Sequence, residues 1–279
     1  MLTRRRFLRV SAVGAGLASG VGLYTWRFEP HWLELVRRPL PITHLPDVLK
    51  GSRLIQISDL HIGPKVDDAY LLRAFDVVKA LSPEIVVYTG DFTSYEADIF
   101  AHAQRVFSHL PQGRLATVGI LGNHDYGPGW SRPAVADRVA QLAAAAGVRV
   151  LRNELTEISG LQIVGLDDLW AKRFDLETPM AALDPGRAAL VLSHNPDTVD
   201  LAGWGAYNGW VLAGHTHGGQ CRPPFLPPPL LPVKNRRYTA GEFYLSGGRR
   251  MYISRGVGHL LQVRFNARPE ITLFDLDRG

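Results

Sequence analysis

His215 and His217 stand two residues apart in the stretch Val-Leu-Ala-Gly-His-Thr-His-Gly-Gly-Gln at positions 211–220. The apolar start reads as a buried strand, and on extended backbone residues i and i+2 point to one face. Both imidazoles can therefore reach one point just past the strand end. Gly214, Gly218 and Gly219 let the chain bend tightly there. Neutral imidazole is the commonest metal-ligating side chain. The pair thus offers part of a metal site, although alone it fits an unrelated histidine turn equally well.

Four more apolar runs end on groups able to bind a hard or borderline cation. Residues 54–58 lead to Asp59, with His61 two further on; residues 85–90 lead to Asp91; residues 118–122 lead to Asn123 and His124; residues 190–193 lead to His194. Ligands of open α/β sheets collect at the carboxyl ends of strands. Neighbouring strands lie about 4.8 Å apart, so several such ends side by side come within range of a two-metal centre, whose ions are typically about 3.5–4 Å apart. A satisfied structural His or Asp is the ordinary reading of any one of these positions. Five runs ending alike favour the metal reading for the set.

The elements that must hold these ends alternate between strand and helix patterns. Strands are expected at 54–58, 85–89, 115–121, 148–151, 161–166, 190–193, 210–213, 252–254 and 271–276. Helices are expected at 68–81 with Asp67 as N-cap, at 97–110, and at 133–146 with Pro133 near its first turn and Gly147 at its end. This alternation argues for an α/β domain.

The ordered motifs Asp59-x-His61, Gly90-Asp91, Gly122-Asn123-His124-Asp125, His194 and Gly214-His215-Thr216-His217 resemble those of the calcineurin-like metallophosphoesterases. The run through Gln220, with Ser254-Arg255-Gly256 and Arg268-Pro269-Glu270, is similar to a bacterial subgroup of YkuE- and YaeI-like proteins, usually membrane-anchored or exported. That subgroup also includes a pyrophosphatase acting on UDP-2,3-diacylglucosamine. The resemblance covers most of residues 51–279 and implies a four-layer α/β/β/α sandwich, the metallophosphatase fold. It implies that Asp59, His61, Asp91 and His217 hold one divalent metal while Asp91, Asn123, His194 and His215 hold the other, with Asp91 between them. It further implies hydrolysis of a phosphate ester or diester by a metal-bridging hydroxide. His124 is then the general acid or transition-state donor, and Asp125 orients its ring, or simply forms a turn. Gly90-Asp91-Phe92-Thr93-Ser94 lacks the second acidic residue that many relatives carry, at a position that is not a ligand. A mixed N/O donor set suits Mn, Fe or Zn. His31, His44, His102, His109 and His259 lie outside the set; only for His259 is a substrate contact an alternative.

The chain has 279 residues, 46% hydrophobic and 20% charged, with a net charge of +5. Arg4, Arg5, Arg6 and Arg9 account for four of those charges, so the remainder carries about +1 and shows no nucleic-acid footprint. With Cys221 as the one cysteine, no internal disulfide and no cysteine-rich zinc site can form. Thr3-Arg4-Arg5-Arg6-Phe7-Leu8-Arg9 resembles a twin-arginine export signal. The apolar segment that follows makes residues 1–26 a signal or uncleaved anchor, with the domain on the periplasmic or extracytoplasmic side. Residues 27–50, with four prolines, are expected to form a linker, and residues 51–279 the catalytic domain.

The segment 222–232 is proline-rich and is followed by Lys234, Arg236 and Arg237. Its Phe225, Leu230 and Leu231 are expected to meet an acyl chain or the bilayer, or else to form a rigid cover loop. The expected substrate is therefore a phosphate ester, and the loop and anchor favour a lipid-linked one. A UDP-sugar substrate sits less well with an exported domain, because UDP-sugars are cytoplasmic. The reading from another class is a non-catalytic metal- or phosphate-binding module, which a missing ligand would support; none is missing.

Overall fold

Side-chain alternation decides how the strands stack. In β2 (Arg53–Ile57) Leu54 enters one apolar cluster while Ile55 and Ile57 enter another; in β3 (Ile85–Thr89) Ile85 and Val87 join the first, Val86 and Tyr88 the second. Both faces are buried, as continuous apolar runs require. A computed structural model describes residues 3–96 and 98–279.

Two six-stranded sheets lie face to face. The first runs β1-β12-β2-β3-β4-β5, with β1 (Glu34–Ile42), β4 (Ala116–Ile120), β5 (Arg149–Val150) and β12 (Glu270–Arg278). The second runs β10-β11-β9-β8-β7-β6, with β6 (Glu154–Ile158), β7 (Leu161–Gly165), β8 (Ala189–Leu192), β9 (Trp210–Ala213), β10 (Gly241–Tyr244) and β11 (Arg250–Ile253). β2 to β5 are parallel, as are β7, β8, β9 and β11; β12 against β2, β6 against β7 and β10 against β11 are antiparallel. Leu54, Val87, Val118, Ile163, Leu190 and Leu212 meet between the sheets.

The helices α2 (Asp68–Leu81), α3 (Ile99–Phe107) and α4 (Pro133–Ala145) cover the outer face of the first sheet through Leu71, Phe75, Val106 and Val139. Asp67 caps α2 by accepting from Tyr70 N–H at 3.1 Å. The expected start of α3 at Ala97 lies outside the described residues. The fold is thus the expected α/β metallophosphatase sandwich, but its fourth layer is thin. Over the second sheet lie one short helix, α5 (Glu177–Ala181), a turn at Pro196–Asp200, and loops carrying Trp204 and Tyr207.

The segment 27–50, expected as a linker, contributes β1 to the first sheet, in parallel register with β12 from Glu34↔Glu270 to Ile42↔Arg278. Leu40, Leu45 and Leu49 are fully buried. Pro39 and Pro41 are accommodated because β1 is an edge strand, with one side free of ladder bonds. Ahead of it, α1 (Arg4–Leu23) continues through a turn at Tyr24–Phe28.

Candidate metal centre

The carboxyl ends of β2, β3 and β4 are neighbours, as are those of β8 and β9, and backbone hydrogen bonds extend both sheets past the last strand residue. Asp59 N–H donates to Gly90 O at 3.0 Å, His61 N–H to Asp91 O at 3.0 Å, and Gly214 N–H to His194 O at 3.1 Å. Asp59, His61, Asp91, His215 and His217 then turn into left-handed backbone, with φ of 54°, 48°, 54°, 71° and 50°. Such residues cost of order 1–3 kcal/mol each and persist where surrounding bonds fix them. The glycines leave room for the ligands. A Cβ on Gly122 would overlap Asp91 Oδ1 and lie 2.7 Å from His194 Nε2.

Two groups of buried donors result. Ligand atoms of Asp59, His61 and His217 lie within 4.8 Å of one another, and so do those of Asp91, His194 and His215. Each group takes residues from both sheets. Asp91 Oδ2 sits between them, 3.5 Å from His61 Nε2 and 3.2 Å from His194 Nε2. His217 Nε2 is 3.4 Å from Asp59 Oδ1 and 3.0 Å from His61 Nε2, while His215 Nδ1 is 3.2 Å from His194 Nε2. Asn123 is buried beside them with its Oδ1 unpartnered, as are His215 Nε2 and His217 Nδ1. Buried polar atoms are normally paired. Convergent lone pairs with an orphaned carbonyl oxygen therefore fit cations.

Electrostatics agree with this. Burial opposes the charge of Asp91, but His194, His124 and His61 outweigh it and hold its carboxyl well below the usual range. Burial pushes Asp59 up to about 6, with Asp91 adding to the shift. Burial keeps His61 and His217 neutral well below the ordinary imidazole value, and with His194 beside it brings His215 down to about 3. Asp91, Asp59 and Asp168 overcome the burial of His194 and push it up to about 10. A proton there occupies space a cation would take, and metal binding releases such protons. Two rings are oriented from behind: His61 Nδ1 by Ser94 Oγ at 3.0 Å and His194 Nδ1 by Thr89 O at 2.7 Å.

His124 is half-buried at the rim, its ring 5.0 Å from that of His61, and its N–H donates to Asp91 Oδ1 at 2.9 Å. The hydrogen bonds of Asp125 do not orient that ring. Its carboxylate accepts from Gly122 N–H at 2.9 Å, Thr93 N–H at 2.9 Å, Phe92 N–H at 3.2 Å and Thr93 Oγ1 at 3.2 Å. The turn at Asn123–Tyr126 points it back into the loops, which it staples together. His259 is fully buried with Nε2 on Lys65 O at 2.9 Å, a core histidine rather than a substrate contact.

Sequence reasoning passed over Asp168, Trp130 and Trp170. Asp167 and Asp168 follow the end of β7, so a strand-end signal was present there too. It is buried, accepts from Ala171 N–H at 2.7 Å, keeps Oδ2 unpartnered and is pushed up to about 6, chiefly by burial. Trp130 and Trp170 pack with ring centroids 4.8 Å apart and planes tilted by 32°, and Trp170 meets His215 edge-on at 4.4 Å. With Leu169, Lys172 and Lys234 they line a cleft beside the site.

A two-sheet α/β sandwich with paired carboxylate–imidazole groups at its strand ends defines a metal-dependent phosphohydrolase. Residues 52–219 match the model of the calcineurin-like phosphoesterase family, and the chain belongs to that family, hydrolases of phosphoester bonds. It is 32% identical to phosphodiesterase YaeI of Escherichia coli (strain K12), across 99% of this chain and 100% of that protein. It is 32% identical to the metallophosphoesterase YkuE of Bacillus subtilis (strain 168), across 99% and 98%. It is 28% identical to UDP-2,3-diacylglucosamine pyrophosphatase LpxG of Chlamydia trachomatis, across 92% and 94%.

Proposed function

We propose that the chain is a dinuclear metal-dependent phosphodiesterase held at a membrane by its N-terminal helix. The observation that carries the metal reading is the placement of Asp91 Oδ2 between two buried ligand groups, 3.5 Å from an imidazole of one and 3.2 Å from an imidazole of the other. Asp59, His61, Asp91 and His217 would hold one cation, and Asp91, Asn123, His194 and His215 the other. Two divalent ions there, Mn, Fe or Zn by donor type, would supply Lewis acidity and would lower the pKa of bound water. Neutral imidazoles and the Asn123 amide keep the donor set short of negative charge, which favours a phosphate. His124, at the half-exposed rim, would donate a proton to the departing oxygen. Ser94 and the Thr89 carbonyl fix the ring orientations of His61 and His194. The Trp130–Trp170 cleft would take the ester's organic group.

The test is hydrolysis of p-nitrophenyl phosphate and its bis ester by the purified chain with Mn²⁺, Zn²⁺ or Ni²⁺, alongside metal analysis. Asp91→Asn and His215→Ala are expected to remove metal and turnover together; undiminished hydrolysis by either variant ends the assignment.

A second substrate, UDP-2,3-diacylglucosamine, is favoured by the similarity to LpxG and by an apolar helix, Arg4–His31, long and apolar enough to cross a membrane. Protease accessibility in spheroplasts decides the side on which the domain lies.

A further inference from the structure

Two loops leave the metal centre and run outward together. The first follows His217: Phe265 N–H donates to Gln220 O at 2.8 Å, Arg222 N–H donates to Phe265 O at 2.7 Å, and Gln220 Nε2 reaches Leu261 O at 3.1 Å and Val263 O at 3.0 Å. The second begins where Val257 N–H and Gly258 N–H donate to Ser58 O and Asp59 O, at 2.9 and 2.7 Å. This second loop also grips the foot of α1. Arg264 N–H donates to Thr25 O at 2.9 Å, Gln262 Nε2 to Trp26 O at 3.3 Å, and Ala267 N–H to Glu29 Oε1 at 2.7 Å. One short stretch therefore joins the rim of the metal centre to the base of the apolar helix.

On the two loops and at the foot of α1 apolar side chains stand in the open: Trp26, Phe28, Leu226, Leu230 and Leu261 are more than half exposed, and Phe225 is fully exposed. Leu231, expected among them, is buried instead. Apolar groups gathered in this way on a soluble surface mark a contact site. Prolines hold the loop that presents Phe225 and Leu226 stiff, so little ordering is needed on contact. Arg222 and Arg237 are exposed on the same segment without carboxylate partners among the described residues. Basic groups beside apolar tips match an anionic lipid leaflet, and the helix Arg4–His31 would bring the domain to one.

We propose that loop 222–232 and loop 257–265 form an interfacial surface that rests on an anionic phospholipid leaflet. The mouth of the metal centre then opens at the bilayer that holds α1, and the ester it receives is one borne on a lipid. The lipid-ester part rests on the phosphoesterase reading; the contact surface does not.

The experiment uses the full chain in vesicles of phosphatidylethanolamine and phosphatidylglycerol with brominated acyl chains. In a Cys221→Ser background, a fluorophore is attached at Phe225→Cys or at Ala206→Cys, the latter near the start of β9 at the opposite end from the metal centre. Bromine quenching is expected at 225 and not at 206. Independently, the triple variant Phe225→Ser, Leu226→Ser, Leu230→Ser is expected to turn over bis-p-nitrophenyl phosphate within about twofold of the parent. Its turnover of a vesicle-borne phospholipid ester is expected to fall at least about tenfold. An unquenched label at 225, equal quenching at both positions, or equal loss on both esters would overturn the proposal. Quenching at 225 from a parent chain that hydrolyses neither ester would uphold the surface and sink the phosphoesterase reading.

Discussion

The backbone N–H of His215 donates to Asp59 Oδ1 at 3.0 Å, across the seam between the two sheets. The same carboxylate faces His217 at 3.4 Å. Asp59 therefore ties the two sheet ends together and, on the proposed metal reading, would also offer charge to a cation. Asp59→Asn separates the two roles, because the amide oxygen still accepts from His215. We expect at least about a hundredfold loss of turnover, beyond what removal of an outer-shell partner costs. The metal-free protein should melt no lower than the parent, since a buried carboxyl pushed up to about 6 is replaced by a neutral group. A large drop in the metal-free melting temperature would contradict this.

Chelation should destabilise as well as inactivate. At free metal about a hundredfold above Kd, each ion contributes about 2.7 kcal/mol. For a domain this large, two ions correspond to roughly 10–20 °C of Tm. Scanning calorimetry with EDTA, then with added Mn²⁺, measures it. Rebinding should acidify an unbuffered solution, because imidazole and carboxylate ligands coordinate in their deprotonated forms.

His124 and Asp125 are adjacent in sequence and separable in effect. His124→Ala should lower turnover about 10²–10⁴-fold, the usual range for a proton donor, with metal content and Tm unchanged. The loss should shrink for esters with good leaving groups. Asp125→Asn places an amide donor against backbone N–H groups and should cost about 1–3 kcal/mol of stability. Urea unfolding of both variants, with metal analysis, tells them apart. A His124→Ala protein as unstable as Asp125→Asn would remove the distinction.

Arg264 is fully buried and donates to the carbonyl oxygens of Ala267, Arg255, Gly256 and Gly258 at 2.7, 3.0, 3.2 and 2.6 Å. Arg264→Met leaves those oxygens unpaired and should cost on the order of 3 kcal/mol. Hydrogen exchange should rise across 255–267 before the sheets respond.

Much of the candidate centre was legible because the carboxylates and imidazoles that converge there follow apolar runs of strand length, and parallel strands bring such ends together. β3 and β9 fall where the residues alone put them. β1 escaped because Pro39 and Pro41 read as breakers, and only its edge position makes them tolerable. β6 escaped because Glu154 and Glu157 break its apolar pattern. Asp125 shows a different limit. The resemblance implies an orienting role toward His124, yet the carboxylate of Asp125 accepts from Gly122, Phe92 and Thr93 instead, as its turn-forming alternative requires. Trp130 and Trp170 carry no periodic signal, since both lie on loops.

Asp59 and His61 come from one sheet and His217 from the other; Asp91 is likewise separated from His194 and His215. A half-folded chain thus has no complete ligand group. On the proposed metal reading, ion capture awaits closure of the sandwich, so metal content would report that the two sheets have come together.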